Sequence, residues 1–254
     1  MALYGVLGDV HGNLEALRAV LALFQRRGAA QILCVGDIVG YNADAQACVE
    51  LLRARGALAI AGNHDLISLG RLGFERCALR AVHALRRTRA HLAPASAAWL
   101  RDLPLQRLVE GRFLLVHGGV RDVDERLVTP QRLRRNAAEM RADFPGTRIC
   151  FFGHTHAQLA CEIDGAELRE LPLGAPVSLS PERDYFLNPG SVDAARKSEP
   201  RLAECALFDS EALRIEFCRL AYDHRAAEEK AAAGGYRLGA WRERLQRVLR
   251  AATR

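Results

Sequence analysis

The sequence predicts an α/β protein with a largely parallel central sheet, and three observations carry that prediction. Five short apolar runs do not alternate, and each closes on glycine with Asp, Asn or His, the habit of strands buried on both faces. Helical patterns separate the first three runs, and the order strand, helix, strand, helix, strand implies right-handed crossovers. From 157 to 220 the pattern turns to strands with DG and DS turns, which predicts a second sheet packed on the first.

Along the chain, ALYGVL forms the first strand and runs into GDVHGN. NLEALRAVLALFQRRG follows, with Leu14, Leu17, Val20, Leu21 and Phe24 at helical spacing, Asn13 placed to cap the helix and Gly28 to end it. QILCV then runs into GDIVGY, and ADAQACVELLRARG repeats the helical arrangement with Cys48, Val49, Leu51 and Leu52, stopping at Gly56. ALAI leads into AGNHD. The rhythm breaks at 68 to 109, where ERCALRAVHALRRTRAHL is helical and strongly basic and PASAAWLRDLP predicts a second short helix. RFLLV into HGG and ICFF into GHTH complete the set of five runs; LACEIDG, AELREL, AECALFDS and ALRIEFCRL supply the later strands. In WRERLQRVLRAATR, Trp241, Leu245, Val248 and Leu249 stand at helical spacing, which predicts a tail helix docked on the rest. With no linker to mark a boundary, the chain reads as one domain, 1–254, with a basic helical insertion at about 68–109 and a C-terminal helical tail at about 223–254.

Composition narrows the function classes. Half of the 254 residues are hydrophobic and 26% are charged, ordinary for a globular protein long enough to bury a sizeable core. No run reaches the roughly 18 apolar residues of a spanning helix, and MALYGVLGD lacks a basic leader and a cleavage site; a cytoplasmic protein with no membrane partner is expected. The net charge of +6 is carried almost wholly by arginine, with Lys197 and Lys230 the only lysines. Such a balance favours anionic ligands, but no zinc-finger spacing or aromatic RNA-binding signature marks specific nucleic-acid binding. Seven cysteines, 34, 48, 77, 150, 161, 205 and 218, are widely spaced with no CxxC pair and read as buried reduced thiols.

Loops after the strands of an open α/β sheet converge at the carboxyl edge, where ligands gather. The five polar motifs would bring Asp9, His11, Asp37, Asn63, His64, His117, His154 and His156 there. Carboxylates, imidazoles and one amide, without thiolate, suit divalent metals of intermediate hardness such as Mn, Fe, Ni, Co or Zn. Asp9 and His11 are two apart, as are His154 and His156, so each pair can offer both side chains to one point; if FFGHTH continues a strand, its two histidines share a face. Even seven of these eight side chains would exceed the roughly four to six ligands that one ion takes. Two divalent ions are therefore expected, with one shared carboxylate, and Asp37, alone on its loop, is the candidate bridge. His83, His91 and His224 lie in basic helical or tail segments and read as structural or solvated.

With GDVHGN, GDIVGY, GNHD, VHGG and GHTH in that order, the sequence resembles the calcineurin-like metallophosphoesterase superfamily from Ala2 to about residue 220. GDIVGY and the late NPGSV at 188–192 make it similar to the compact bacterial phosphodiesterase-like branch. The resemblance implies a four-layer αββα sandwich, two packed mixed sheets flanked by helices. It assigns Asp9, His11, Asp37 and His156 to one ion and Asp37, Asn63, His117 and His154 to the other. It also implies that His64 faces the substrate, stabilising or protonating the leaving oxygen, and that Asp65 orients His64. The implied reaction is hydrolysis of phosphate esters by a metal-bridging hydroxide, with phosphodiesters of small or nucleotide-like substrates as the first expectation. The alternatives are a phosphomonoesterase or phosphoprotein phosphatase, a non-catalytic scaffold of the same fold, and a DNA nuclease. Asn13, beside a ligand pair, is a candidate substrate contact, as are Asn188 and Ser191. Gly40 and Tyr41 stand where the protein-phosphatase branch carries a phosphate-binding arginine, and Arg76, Arg80, Arg86, Arg87 and Arg89 of the basic insertion are possible substitutes. Asp193 and AARK depart from the branch pattern after NPGSV.

Overall fold

The five apolar runs fold as strands, but they divide between two sheets. The computed structural model describes residues 3–165, 167–193 and 200–239; the Trp241 to Leu249 helix expectation and AARK lie outside them. The first half of the chain contributes β1 (Leu3–Leu7), α1 (Leu14–Arg26), β2 (Gln31–Cys34), α2 (Ala45–Ala54), β3 (Leu58–Ala59), α3 (Asn63–Ser68), α4 (Leu79–His91), α5 (Pro94–Asp102), β4 (Gln106–Val109) and β5 (Phe113–Val116). The second half contributes α6 (Pro130–Asp143), β6 (Ile149–Phe151), β7 (Leu159–Asp164), β8 (Glu167–Glu170), β9 (Val177–Ser178), β10 (Asp184–Asn188), β11 (Ala203–Asp209), β12 (Arg214–Leu220) and α7 (His224–Ala233).

One six-stranded sheet has the order β3-β2-β1-β11-β12-β9 and the other β4-β5-β6-β10-β7-β8. In the first, β1, β2 and β3 are parallel, and β11, β12 and β9 extend it antiparallel. In the second, β5, β6 and β10 are parallel, with antiparallel β4, β7 and β8 outside them. Two expectations are corrected here. The five motif-bearing strands do not share one edge, because β5 pairs with β6 and β6 with β10, in the second sheet. The late strands do not build a sheet of their own, because β11 joins β1. Apolar runs buried on both faces carry no mark of which sheet they enter.

Side-chain alternation sorts the core into layers. Tyr4, Val6, Leu33, Val35 and Ile60 of the first sheet face Phe113, Leu115, Phe151, Tyr185 and Leu187 of the second, with Phe208 between them. Phe208 packs edge-on against Phe113 at 5.0 Å and Phe151 at 5.3 Å between ring centroids, and Tyr4 meets Phe113 at 6.1 Å. Leu7 and Cys34 point outward against Leu17, Val20, Phe24, Val49 and Leu52 of α1 and α2. Leu114, Val116, Cys150 and Phe152 pack against Leu133, Ala137 and Met140 of α6. The result is helices, sheet, sheet, helices.

Asn13 caps α1, its Oδ1 accepting from Ala16 N at 3.1 Å. Sequence reasoning did not foresee α6, although Thr129 caps it, Pro130 opens it, and Leu133, Asn136, Ala137 and Met140 form its buried side. Helices α4 and α5 fill much of the basic stretch, whose last residues form β4 instead. All seven cysteines are free. Among the described residues, no helix is long and apolar enough to cross a membrane.

Candidate metal centre

The carboxyl ends of β1, β2 and β3 deliver Asp9, His11, Asp37, Asn63 and His64, while those of β5 and β6 deliver His117, His154 and His156. The candidate ligands therefore meet across the seam between the sheets, in two groups. Asp9, His11, Asp37 and His156 each place a donor atom within 4.8 Å of the others, and so do Asp37, His117 and His154. Asn63 joins the second group through Oδ1, 3.0 Å from His117 Nε2. His154 and His156 thus stand in different groups. They do not share a strand face: β6 ends at Phe151, and a loop turns each ring to its own side.

That loop and its counterparts hold an unusual backbone. Asp9, His11, Asp37, His154 and His156 all have positive φ, between 50° and 64°, and they are five of the seven described non-glycine residues that do. Each left-handed L-residue costs on the order of 1–2 kcal/mol, so the surrounding structure must impose the conformation. Backbone hydrogen bonds do so: Asp9 N donates to Gly36 O at 3.0 Å, His11 N to Asp37 O at 2.9 Å, and Asp193 N to Asp9 O at 3.0 Å. His154 N donates to Asp9 Oδ2 at 3.1 Å. A side chain at Gly62 would overlap the Asp37 carboxylate, and one at Gly40 would overlap the His64 ring, so glycine is required for these close approaches.

Asp37 Oδ1 accepts from His64 N at 2.8 Å. That bond leaves Oδ2 facing His117 Nε2 at 3.3 Å and His11 Nε2 at 3.7 Å, one atom between the two groups. His117 Nδ1 lies 2.7 Å from Val35 O; because a carbonyl can only accept, the proton belongs on Nδ1 in the neutral ring and Nε2 presents a lone pair. That lone pair points at two oxygens, those of Asn63 and Asp37. In the other group, His156 Nε2 is 3.1 Å from Asp9 Oδ1 and 3.2 Å from His11 Nε2. Electron-rich donors converging in this way fit a cation, and the donor set fits a divalent metal of intermediate hardness.

The electrostatics agree. Burial pushes the Asp37 carboxyl up, but His117, His64 and His11 more than reverse this and hold it well below the ordinary carboxylate range. Burial likewise opposes, and His156 and His117 overcome, in lowering Asp9. Burial alone would lower His117, yet the Asp37 carboxylate raises it to about 10, so positive charge is favoured between them, either a proton on Nε2 or a cation in its place with the ring neutral. His154 is lowered to about 4, first by burial and then by His117, and is neutral as a ligand must be.

Two expected roles do not match the contacts. Asn13 is fully buried: its amide nitrogen donates to Asp193 Oδ1 at 3.0 Å and Tyr222 OH at 3.3 Å while its oxygen caps α1. An amide so committed is a brace beneath the site and not a substrate contact. Asp65, expected to orient His64, accepts instead from Ile38 N, Val39 N and Gly62 N at 2.9 to 3.1 Å, tying the loop after β2 to the start of α3. Burial and the Asp37 charge raise its carboxyl to about 7. His64 itself is nearly buried, its ring 4.6 Å from His11 and 4.8 Å from Tyr41, at the wall of the cavity above the donors.

NPGSV is a second brace. Asn188 Nδ2 donates to Gly153 O and Thr155 Oγ1, both at 3.0 Å, and Ser191 Oγ donates to Asp9 O at 3.1 Å. Both hold ligand loops in place.

Of the arginines on the basic insertion, Arg76 and Arg80 line the cavity. Arg86 and Arg89 stack on Phe74 and Arg87 on Tyr236. Sequence reasoning missed Arg126, Arg132 and Arg135, which enter the cavity wall from α6 and the loop before it; the Thr-Pro opening of α6 was the signal that could have found them.

The sequence pattern of calcineurin-like phosphoesterases matches residues 3–158. An uncharacterized protein of Methanocaldococcus jannaschii is 30% identical over 233 residues, 90% of this chain and 91% of that one. The crystal structure of a metallophosphoesterase from Sphaerobacter thermophilus superposes with a TM-score of 0.77 at 31% identity, covering 92% of this chain and 94% of the other. A symmetrical bis(5'-nucleosyl)-tetraphosphatase of Psychromonas ingrahamii is 30% identical over 131 residues, which is 47% of this chain and 45% of that protein.

Proposed function

The chain belongs to the calcineurin-like phosphoesterase family, and from that premise we propose a metal-dependent hydrolase that uses two divalent ions, manganese first among them, to cleave phosphodiesters of small or nucleotide-like substrates in the cytoplasm. The observation that carries the dinuclear reading is the position of Asp37 Oδ2, between His11 of one group and His117 of the other. Asp9, His11, Asp37 and His156 would hold one ion, and Asp37, Asn63, His117 and His154 the second. When bound, such ions polarise the phosphoryl oxygens and activate the attacking water.

The remaining work falls to the protein. His64, at the wall of the cavity and backed by the His11 and Tyr41 rings, would donate a proton to the departing oxygen, a contribution of the order of 10² to 10⁴ in rate. Its main-chain N–H bond to Asp37 Oδ1 ties its position to that of the shared ligand. Asp65 positions His64 indirectly, by fixing the start of α3.

The test is metal reconstitution followed by assay on an aryl phosphodiester and the matching monoester. Turnover with Mn, Ni, Co or Zn is expected, with the diester preferred and a loss of about 10² or more in His64→Ala. Metal analysis should show about two ions per chain in the parent and about one in either His154→Ala or His156→Ala. No turnover with any of these metals overturns the hydrolase reading; one ion in the parent overturns the dinuclear one.

A further inference from the structure

The cavity above the donors, about 790 Å³, is far larger than one phosphoryl group requires and falls in the range that holds whole small ligands. Its outer wall carries five guanidinium groups and three carboxylates. The carboxylates are already satisfied. Arg76 pairs with Asp122 at 2.9 Å and with Asp124 at 3.7 Å, and Arg135 and Arg132 both pair with Glu125. Among the described residues, Arg80 and Arg126 have neither an ion-pair nor a hydrogen-bond partner for their guanidinium groups, and they enter the wall from different elements, α4 and the loop before α6. The Arg126 backbone is held in place by Arg132, whose Nη1 donates to Arg126 O at 2.8 Å. The cavity therefore has a floor of candidate metal ligands and, on its outer wall, cationic charge that no carboxylate among the described residues neutralises.

A phosphate diester engaged by the floor would leave that charge unanswered. We infer that the preferred substrate carries a second phosphate group beyond the scissile one, bound by Arg80 and Arg126. The inference rests on the phosphoesterase reading and specifies its substrate class. Guanidinium groups match phosphate oxygens in a planar fork and keep their charge at every working pH. Because Arg80 and Arg126 are both exposed, the interaction is also salt-sensitive.

A matched substrate pair isolates the second phosphate: the 4-nitrophenyl ester of thymidine 5'-phosphate and its 3'-phosphorylated counterpart share scissile bond and leaving group. The metal-reconstituted protein should favour the 3'-phosphorylated ester in kcat/KM by about tenfold or more. In Arg80→Gln and Arg126→Gln that ratio should fall toward one, and in Arg86→Gln, whose guanidinium lies on Phe74, it should stay at the parent value. Calorimetric titration in chelator, without any metal, gives a second readout. Thymidine 3',5'-bisphosphate should bind more tightly than thymidine 5'-phosphate, and the difference should disappear in the Arg80 and Arg126 variants. Equal kcat/KM on both esters, or a preference that survives both substitutions, overturns the inference while leaving the hydrolase reading intact. Turnover of neither ester overturns the hydrolase reading itself, and the inference with it.

Discussion

The floor and the rim of the cavity carry comparable numbers of ionisable groups but are held by different forces. On the floor, Asp9, His11, Asp37 and His117 are almost wholly buried, and their loops are laced by backbone hydrogen bonds and braced by Asn13, Asp65, Asn188 and Ser191. At the rim, guanidinium groups from flexible side chains meet carboxylates where water competes; the Arg76 side chain is 62% exposed. Positional accuracy therefore belongs to the floor, through main-chain geometry, while the rim supplies an adjustable field.

Three substitutions probe that contrast. The largest effect is expected from Asp37→Asn, which neutralises the one carboxylate oxygen that faces both ligand groups. Hydrolysis should fall by the order of 10³ or more, and metal analysis should show both positions weakened together. If only one position were lost, the floor would not be the coupled unit described above. Next comes Asp65→Asn, which touches no proposed ligand but cannot accept from all three of Ile38, Val39 and Gly62. A stability loss of about 1–3 kcal/mol is expected in denaturant unfolding, with weaker metal affinity by about 10 to 100-fold. The smallest effect is expected from Arg76→Gln: no measurable change in melting temperature, and a change in KM that vanishes at high salt. A large loss of stability there would erase the distinction between floor and rim.

The floor was legible in the sequence because its chemistry is local. Each motif that carries candidate ligands includes a glycine at the end of an apolar run, so GDVHGN or GHTH displays donor and turn together. What lay beyond reach was the assignment of strands to sheets, since RFLLV and ICFF look no different from QILCV, and the left-handed backbone of the ligands, which replaces the strand geometry expected for FFGHTH. Asn13 shows the limit of adjacency. Two residues after His11, it points beneath the site because it caps α1. The rim was the least legible region. Arg126 and Arg135 lie far along the chain from Arg76 and Arg80, and only the packing of α6 on the second sheet brings them to the same wall.

The aromatic layer between the sheets acquires a meaning from where the ligands come from. Five candidate donors and acids hang from the first sheet and three from the second, so the separation of Tyr4, Phe113, Phe151 and Phe208 works as a ruler, setting how far His117, His154 and His156 stand from Asp9, His11 and Asp37. Close-packed interiors transmit a change of even one methylene. The thickness of an apolar layer beneath the cavity, built from residues outside the candidate donor set, thus sets the spacing of the two donor groups above it.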